Sequence, residues 1–266
     1  MVKFSEIFNS TKPIIGVVHL LPLPGTPHYD PNVPVGDVIE RAKRETKTLI
    51  ENGFDGIVFA NEGDRPYITQ VGPEIIASYV RIVTEVLPNV TIPYGCGVLM
   101  DPIATFAIAK AIDAKFVRTY VNGTFTGTFG YHNFNPGSIF RYRKMIDADN
   151  IPMFCNFTAH AGVSFDSRPL EEIVDGVLPV IEPDAVLVPG PRAGLPPNFN
   201  DVENLKNRFP AVPILITSGI NTENVKEAME ICDGIIVGTN IKKDGVIWNE
   251  ICPKRAEKFI KIAKDL

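Results

Sequence analysis

Three groups of residues in this chain have types and spacings that chemistry could use. The first lies in residues 213–239, PILITSGINTENVKEAMEICDGIIVGT, where two small-residue turns, Ser218-Gly219 and Gly238-Thr239, each follow a short apolar run. Glycine lets backbone amides come close to a phosphate, and a helix that follows adds unpaired N–H groups and the positive end of its dipole. Either turn alone reads as a tight bend before a helix, so the pair carries the reading of a phosphate grip. The second group is His19, which closes the apolar run IIGVVH, together with the loop NEGDRPY that holds Asn61, Glu62, Asp64 and Arg65. An imidazole and a carboxylate suit general acid/base work, and Glu62 or Asp64 with Asn61 or His19 could supply ligands for a divalent cation, which no ligand spacing here signals or requires. The bland alternatives are a hydrogen-bonded core histidine and a solvated turn with an internal salt bridge. The third group is Arg118 inside an apolar run, Asn156 and His160 four residues apart, and Arg192 in PGPRAG. A guanidinium within a barrel needs either a carboxylate partner, Asp101 or Glu62, or an anionic ligand.

These residues are chemically useful only if the elements around them converge. Eight short apolar runs, at residues 14–19, 56–60, 92–98, 116–121, 151–157, 185–188, 213–217 and 234–237, read as parallel strands buried on both faces. Between them run helical patterns. Val38, Ile39, Ala42, Thr46, Leu49 and Ile50 recur at helical spacing up to Gly53, Pro73 and Asp101-Pro102 open two more helices, and a last helix covers residues 253–264. Asn221 and Thr222 are expected to open the helix before the eighth strand, and Asn200 with Glu203 to form a capping box. Residues 122–135 and 158–168 are expected to be irregular loops, with Tyr120, Phe125, Phe129 and Tyr131 packing among themselves or, as the alternative, covering a ring or a sugar face, and with His28 and His132 exposed. Met1 to Asn9 is expected to form a short helix that buries Phe4, Ile7 and Phe8 at the barrel floor. The alternation predicts an α/β fold, one (β/α)8 TIM barrel over residues 1–266 with residues 1–12 as an N-terminal extension, and no domain boundary. Its active site must then lie at the C-terminal strand ends, with the phosphate loops after strands seven and eight.

Composition removes several functions. The net charge of -5 and the absence of a run of Lys and Arg argue against a nucleic-acid partner. No stretch approaches the roughly 18 apolar residues of a transmembrane segment and no leader pattern opens the chain, so a cytoplasmic protein is expected. Four scattered cysteines give neither a zinc motif nor a disulfide framework. There is no dinucleotide or Walker fingerprint. Lys242 lies beyond the eighth strand and no strand end carries a lysine, which disfavours a Schiff-base aldolase. Asp101 reads as a helix cap.

The runs GVVHLLPLPGTP, GFDGIVFANEGDRPY, AKFVRTYVNG, SGINTENV and DGIIVGTNIKKDG, in this order along nearly the whole chain, resemble the BtpA/SgcQ family of the ribulose-phosphate-binding barrel superfamily. The resemblance implies a phosphorylated small molecule at Ser218-Gly219 and Gly238-Thr239. It places His19, Glu62, Asp64, Arg118, His160, Ser218, Gly219 and Gly238 on the family's characteristic positions. The sequence departs from the pattern at FANEGD, where an acidic residue and Asn are expected earlier, and at VLMDP, where an Arg-Asn pair is usual. The family's founding member is described as a factor needed for photosystem I to accumulate, while others sit among sugar-metabolism genes. Three readings follow: an isomerase, epimerase or lyase acting on a sugar phosphate, a non-catalytic assembly factor for a membrane complex, and a binder of a nucleotide or flavin phosphate. Homo-oligomers are compatible with all three.

Overall fold

The computed structural model describes residues 4–265. Eight parallel strands, β1 (Ile14–His19), β2 (Gly56–Ala60), β3 (Tyr94–Gly97), β4 (Phe116–Tyr120), β5 (Met153–Asn156), β6 (Ala185–Val188), β7 (Ile214–Ile216) and β8 (Gly234–Val237), close into a barrel. They run in sequence around the ring. Closure pairs Ile14 with Ile235 and Gly16 with Val237, and β1 pairs with β2 from Ile15–Gly56 to His19–Ala60.

Because side chains alternate across a strand, each strand feeds two cores. Ile15, Val17, Val58, Phe116, Phe154, Ala185, Leu187, Leu215 and Ile236 point to the axis, where they form one cluster. Ile14, Val18, Ile57, Val117, Val186, Ile214 and Ile235 point outward into a second cluster with the helices. The helix Val35–Glu51 buries Val38, Ile39, Ala42, Thr46 and Leu49 on one face and stops where Gly53 takes a positive φ of 79°. The helix Pro102–Ala111 is capped by Asp101, whose carboxylate accepts from the Ala104 amide.

The floor is aromatic. Of the segment expected to plug it, residues 1–3 lie outside the described residues and Phe4–Ile7 is helical, with Phe4 and Phe8 buried and Ile7 half-buried. Phe8 lies 5.3 Å from Phe116, which stacks 4.7 Å from Phe154. Gly56 is required beside it, since a Cβ there would sit 2.6 Å from the Phe8 ring.

Five local expectations are corrected. Residues 122–135 are an antiparallel hairpin, Gly123–Gly127 with Gly130–Phe134, and Gly162–Ser164, within the second expected loop, pairs with its other edge. Gly127 and Gly162 allow that pairing, because a Cβ on either would approach the opposing backbone to about 2.5 Å or less. His132 is buried under this sheet instead of exposed. The sixth-unit helix Phe199–Arg208 is capped by Asn198, not Asn200, since the preceding Pro196-Pro197 holds the chain extended up to Asn198. Asn221 accepts from the amides of Glu223 and Asn224 in a turn, so the next helix starts only at Val225.

Candidate functional site

The strand alternation that builds the axial core also aims the site. Two residues above Val17, Phe116, Phe154 and Ile236 on the same strand faces come His19, Arg118, Asn156 and Gly238. All four line one cavity of about 590 Å³ at the C-terminal ends of the strands, joined by Glu62, His160, Arg192, Ser218, Gly219 and Thr239. The candidates at these positions, spread over more than 200 residues of chain, thus share one space.

His19 stands at its centre. Its Nε2 lies 4.0 Å from Glu62 Oε2. A Cβ on Gly238 would sit 3.0 Å from the imidazole Cε1, so the glycine makes room for the ring against the β8 turn. Burial, then the charge of Lys242, hold the His19 pKa well below its ordinary 6.5, which leaves the imidazole neutral at pH 7. Burial raises the Glu62 carboxyl, with the Arg118 charge opposing it. Desolvation lowers the guanidinium of Arg118 in turn, and among the described residues it has no ion pair within 4.0 Å. Asp101, one of its two expected partners, is instead occupied by the Ala104 and Val71 amides at 2.9 and 2.8 Å. Glu62, the other, faces Arg118 without pairing. His160 donates from Nδ1 to the Gly190 carbonyl at 3.0 Å, which fixes its tautomer and leaves Nε2 as an acceptor; burial, then Arg118, lower its pKa. Asn156 faces the Tyr120 hydroxyl.

On the other side of the cavity three loops meet. Ser218 Oγ accepts from the Gly190 amide at 2.5 Å and donates to the Leu195 carbonyl at 3.0 Å, which pins the loop after β6 to the turn after β7. Gly219 has φ +69, and a Cβ on it would lie 1.9 Å from Pro196 N, so only glycine permits this contact. A Cβ on Gly194 in the same loop would lie 3.8 Å from the Thr239 methyl. Among the described residues the amides of Gly219, Ile220, Thr239 and Asn240 have no hydrogen-bond acceptor. Free amides beside glycine turns are what an anion needs.

Asn61 and Asp64 do not reach the cavity wall. Asp64 accepts from the Leu23 amide at 2.8 Å and from Asn61 Nδ2 at 3.0 Å, and Asn61 Oδ1 accepts from the Leu99 amide at 2.8 Å. They lace the loops after β1, β2 and β3 together, and burial pushes the Asp64 pKa up to about 6. Arg65 forms no salt bridge with Asp64. Its guanidinium lies 3.6 Å over the ring of Trp248, and both line the cavity. Sequence reasoning passed over Trp248 and Arg255. Arg255, in the first turn of the helix Pro253–Lys264, donates from Nε to the Asn240 carbonyl at 2.7 Å, and its side chain also lines the cavity. Lys242 is fully buried on Glu45 at 2.7 Å and takes no part in the wall. Among the described residues no group of three or more His, Cys, Asp or Glu is arranged to hold a metal ion, and no helix is long and apolar enough to cross a membrane.

A closed ring of eight parallel strands alternating with helices, with its polar groups gathered at the strands' C-terminal ends, defines the chain as a (β/α)8 TIM barrel. Solved structures agree on the fold. A putative dihydrodipicolinate synthetase from Pseudomonas aeruginosa superposes with a TM-score of 0.60 at 14% identity, covering 96% of this chain and 77% of its own. A phosphoribosyl anthranilate isomerase from Thermus thermophilus gives 0.56 at 11%, covering 95% and 98%. Within this class the chain belongs to the BtpA family, whose pattern matches residues 10–265. It is 32% identical over 255 residues to the putative sgc region protein SgcQ of Escherichia coli K12, covering 96% of this chain and 95% of that one. It is 33% identical over 263 residues to the photosystem I biogenesis protein BtpA of Synechocystis, covering 96% and 89%.

Proposed function

We propose that the chain is an enzyme that performs acid/base chemistry on a phosphorylated sugar or sugar-like metabolite. The observation that carries this reading is the position of His19: its Nε2 lies 4.0 Å from Glu62, and the same Cε1–Nε2 edge of the ring packs on Gly238 of the glycine turn. A phosphate held by the free amides after β7 and β8 would leave the carbon chain of the same molecule across His19 and Glu62. A neutral imidazole can take a proton from a carbon beside a carbonyl, and the Glu62 carboxyl can return one to the neighbouring oxygen or carbon. Arg118, across the barrel from the glycine turns, would bind negatively charged oxygen of the substrate, in a site where desolvation strengthens that interaction. His160, with its tautomer fixed by Gly190, would position a hydroxyl. Isomerisation, epimerisation and retro-aldol cleavage all use these steps.

A second reading, a non-catalytic factor that docks on a membrane-bound complex, has one observation in its favour: Tyr131, Val163 and Phe165 lie 64–66% exposed on the small antiparallel sheet. It gives no reason for charged groups to converge within the barrel. A thermal-shift screen with sugar phosphates decides between the two. A ligand at a hundred times its Kd adds about 2.7 kcal/mol of stability, whereas a protein that no phosphorylated compound stabilises is not the proposed enzyme. For the ligand so found, turnover should disappear in His19→Ala.

A further inference from the structure

The cavity carries more positive charge than a single phosphate accounts for. Arg65, Arg118, Arg192 and Arg255 line it, and Glu62 is the only carboxylate among its lining residues. Both lining histidines, His19 and His160, have lowered pKa values and add no charge at pH 7. In a chain with a net charge of -5, four arginines against one carboxylate in one cavity are a local reversal of sign.

These arginines are also divided between two ends. Arg255 is tied to Asn240 in the turn after β8, and Arg192 belongs to the loop that Ser218 pins to β7. Arg118 rises from β4, which in the closed ring lies four strands from β8 in either direction and therefore directly across the barrel. The paired glycine turns whose free amides can wrap a tetrahedral dianion lie at the other end, after β7 and β8. Arg118 offers a planar fork without an ion-pair partner among the described residues, beside the neutral Asn156, Tyr120 and His160, with the Glu62 carboxyl opposing any second charge of high valence. A guanidinium fork matches a carboxylate in shape and charge.

We infer that the substrate carries two anionic groups, a phosphate seated at the β7 and β8 turns and a carboxylate at its opposite end seated on Arg118, which makes it a phosphorylated sugar acid. This rests on the sugar-phosphate reading given above and narrows it.

The test is a binding series in which the two ends vary separately. Terminally phosphorylated aldonic acids and the matching terminally phosphorylated alditols, over a series of chain lengths, differ only in a carboxylate against a hydroxymethyl group. The best phosphorylated acid should bind at least about tenfold tighter than its alditol, the effect of one charge-assisted bidentate contact. That ratio should collapse towards one in Arg118→Gln and recover in part in Arg118→Lys. Equal binding of acids and alditols at every length overturns the inference and leaves the sugar-phosphate reading standing. Tighter binding of an alditol phosphorylated at both ends than of any acid also overturns it, by making the second group a phosphate. Binding by no phosphorylated compound, inorganic phosphate included, overturns both. Because the ratio is measured first on the unaltered protein, a variant that fails to fold cannot protect the proposal.

Discussion

The floor and the mouth of this barrel are built from the same strands and differ by one step of the pleat. On β4 the floor residue is Phe116 and the mouth residue Arg118; on β5 they are Phe154 and Asn156, and on β1 Val17 and His19. Two residues along a strand is roughly 6.6 Å, at about 3.3 Å per residue. Below that step the axis is filled with packed rings and aliphatic side chains. Above it stand arginines, histidines and the free amides of the glycine turns. The packed floor and the proposed site are therefore separable along the barrel axis, and damage at one level should leave the other nearly untouched.

The largest effect expected on stability comes from the floor. Phe8 is buried between Phe4, Phe116 and Phe154, and Phe8→Ala should cost about 3–5 kcal/mol in chemical denaturation, as such truncations do in closed cores. Phosphate binding per folded molecule should not change; a loss of binding in this variant would show that the two levels are coupled. A comparable loss is expected in the wall. Lys242 and Glu45 form a buried ion pair, and Glu45 Oε1 also accepts from the Ile251 amide at 3.2 Å. Glu45→Gln leaves a buried ammonium without its anion, at a cost of about 3–5 kcal/mol, most of which the double variant Glu45→Leu, Lys242→Met should recover. That pair contrasts with Arg118, a half-buried cation: Lys242 is satisfied by the fold, and Arg118 has no ion pair among the described residues.

The barrel itself was legible in the sequence because strands buried on both faces leave continuous apolar runs, and the candidate residues at their ends followed from register. What escaped did so for identifiable reasons. The hairpin at residues 123–134 does alternate, with Phe125, His132 and Phe134 inside, but its glycines and threonines mask a two-residue period that runs for only five residues in each strand. Asn61 and Asp64 have the right types for a site, and no pattern in NEGDRPY tells which polar side chains turn towards the backbone amides of neighbouring loops. Arg255 and Trp248 follow β8 by a helix start and an irregular loop, so nothing local marks them; only closure of the ring brings them over the mouth.

At the mouth, Glu62→Gln should lower kcat/KM by about 10²–10⁴-fold, the range for loss of one acid/base group. It should not destabilise the protein at pH 7. The folded-state pKa of Glu62 lies above its ordinary 4.5, so its contribution to stability is complete below 4.5 and is lost as pH rises through the folded value. The neutral amide escapes that loss. Denaturation at pH 7 should thus find the variant as stable as the parent or more so, with the difference shrinking towards pH 4. A variant that is less stable at pH 7 would mean that Glu62 serves the fold and not the chemistry.

The smallest effect is expected at Arg255, and it tests where the phosphate sits. Its Nε is committed to the Asn240 carbonyl, so the terminal nitrogens are what remain to meet an anion beside the free amides of Thr239 and Asn240. Arg255→Gln removes that charge while backbone amides and the neighbouring Arg192 stay in place, so affinity for inorganic phosphate should fall only by a few-fold to about tenfold. Partial exposure makes the remaining contribution sensitive to screening over the Debye length of about 10 Å at 0.1 M salt. The parent protein should therefore lose phosphate affinity with added salt more steeply than the variant. If salt weakens both equally, Arg255 does not face the anion, and the glycine turns hold it through their amides alone.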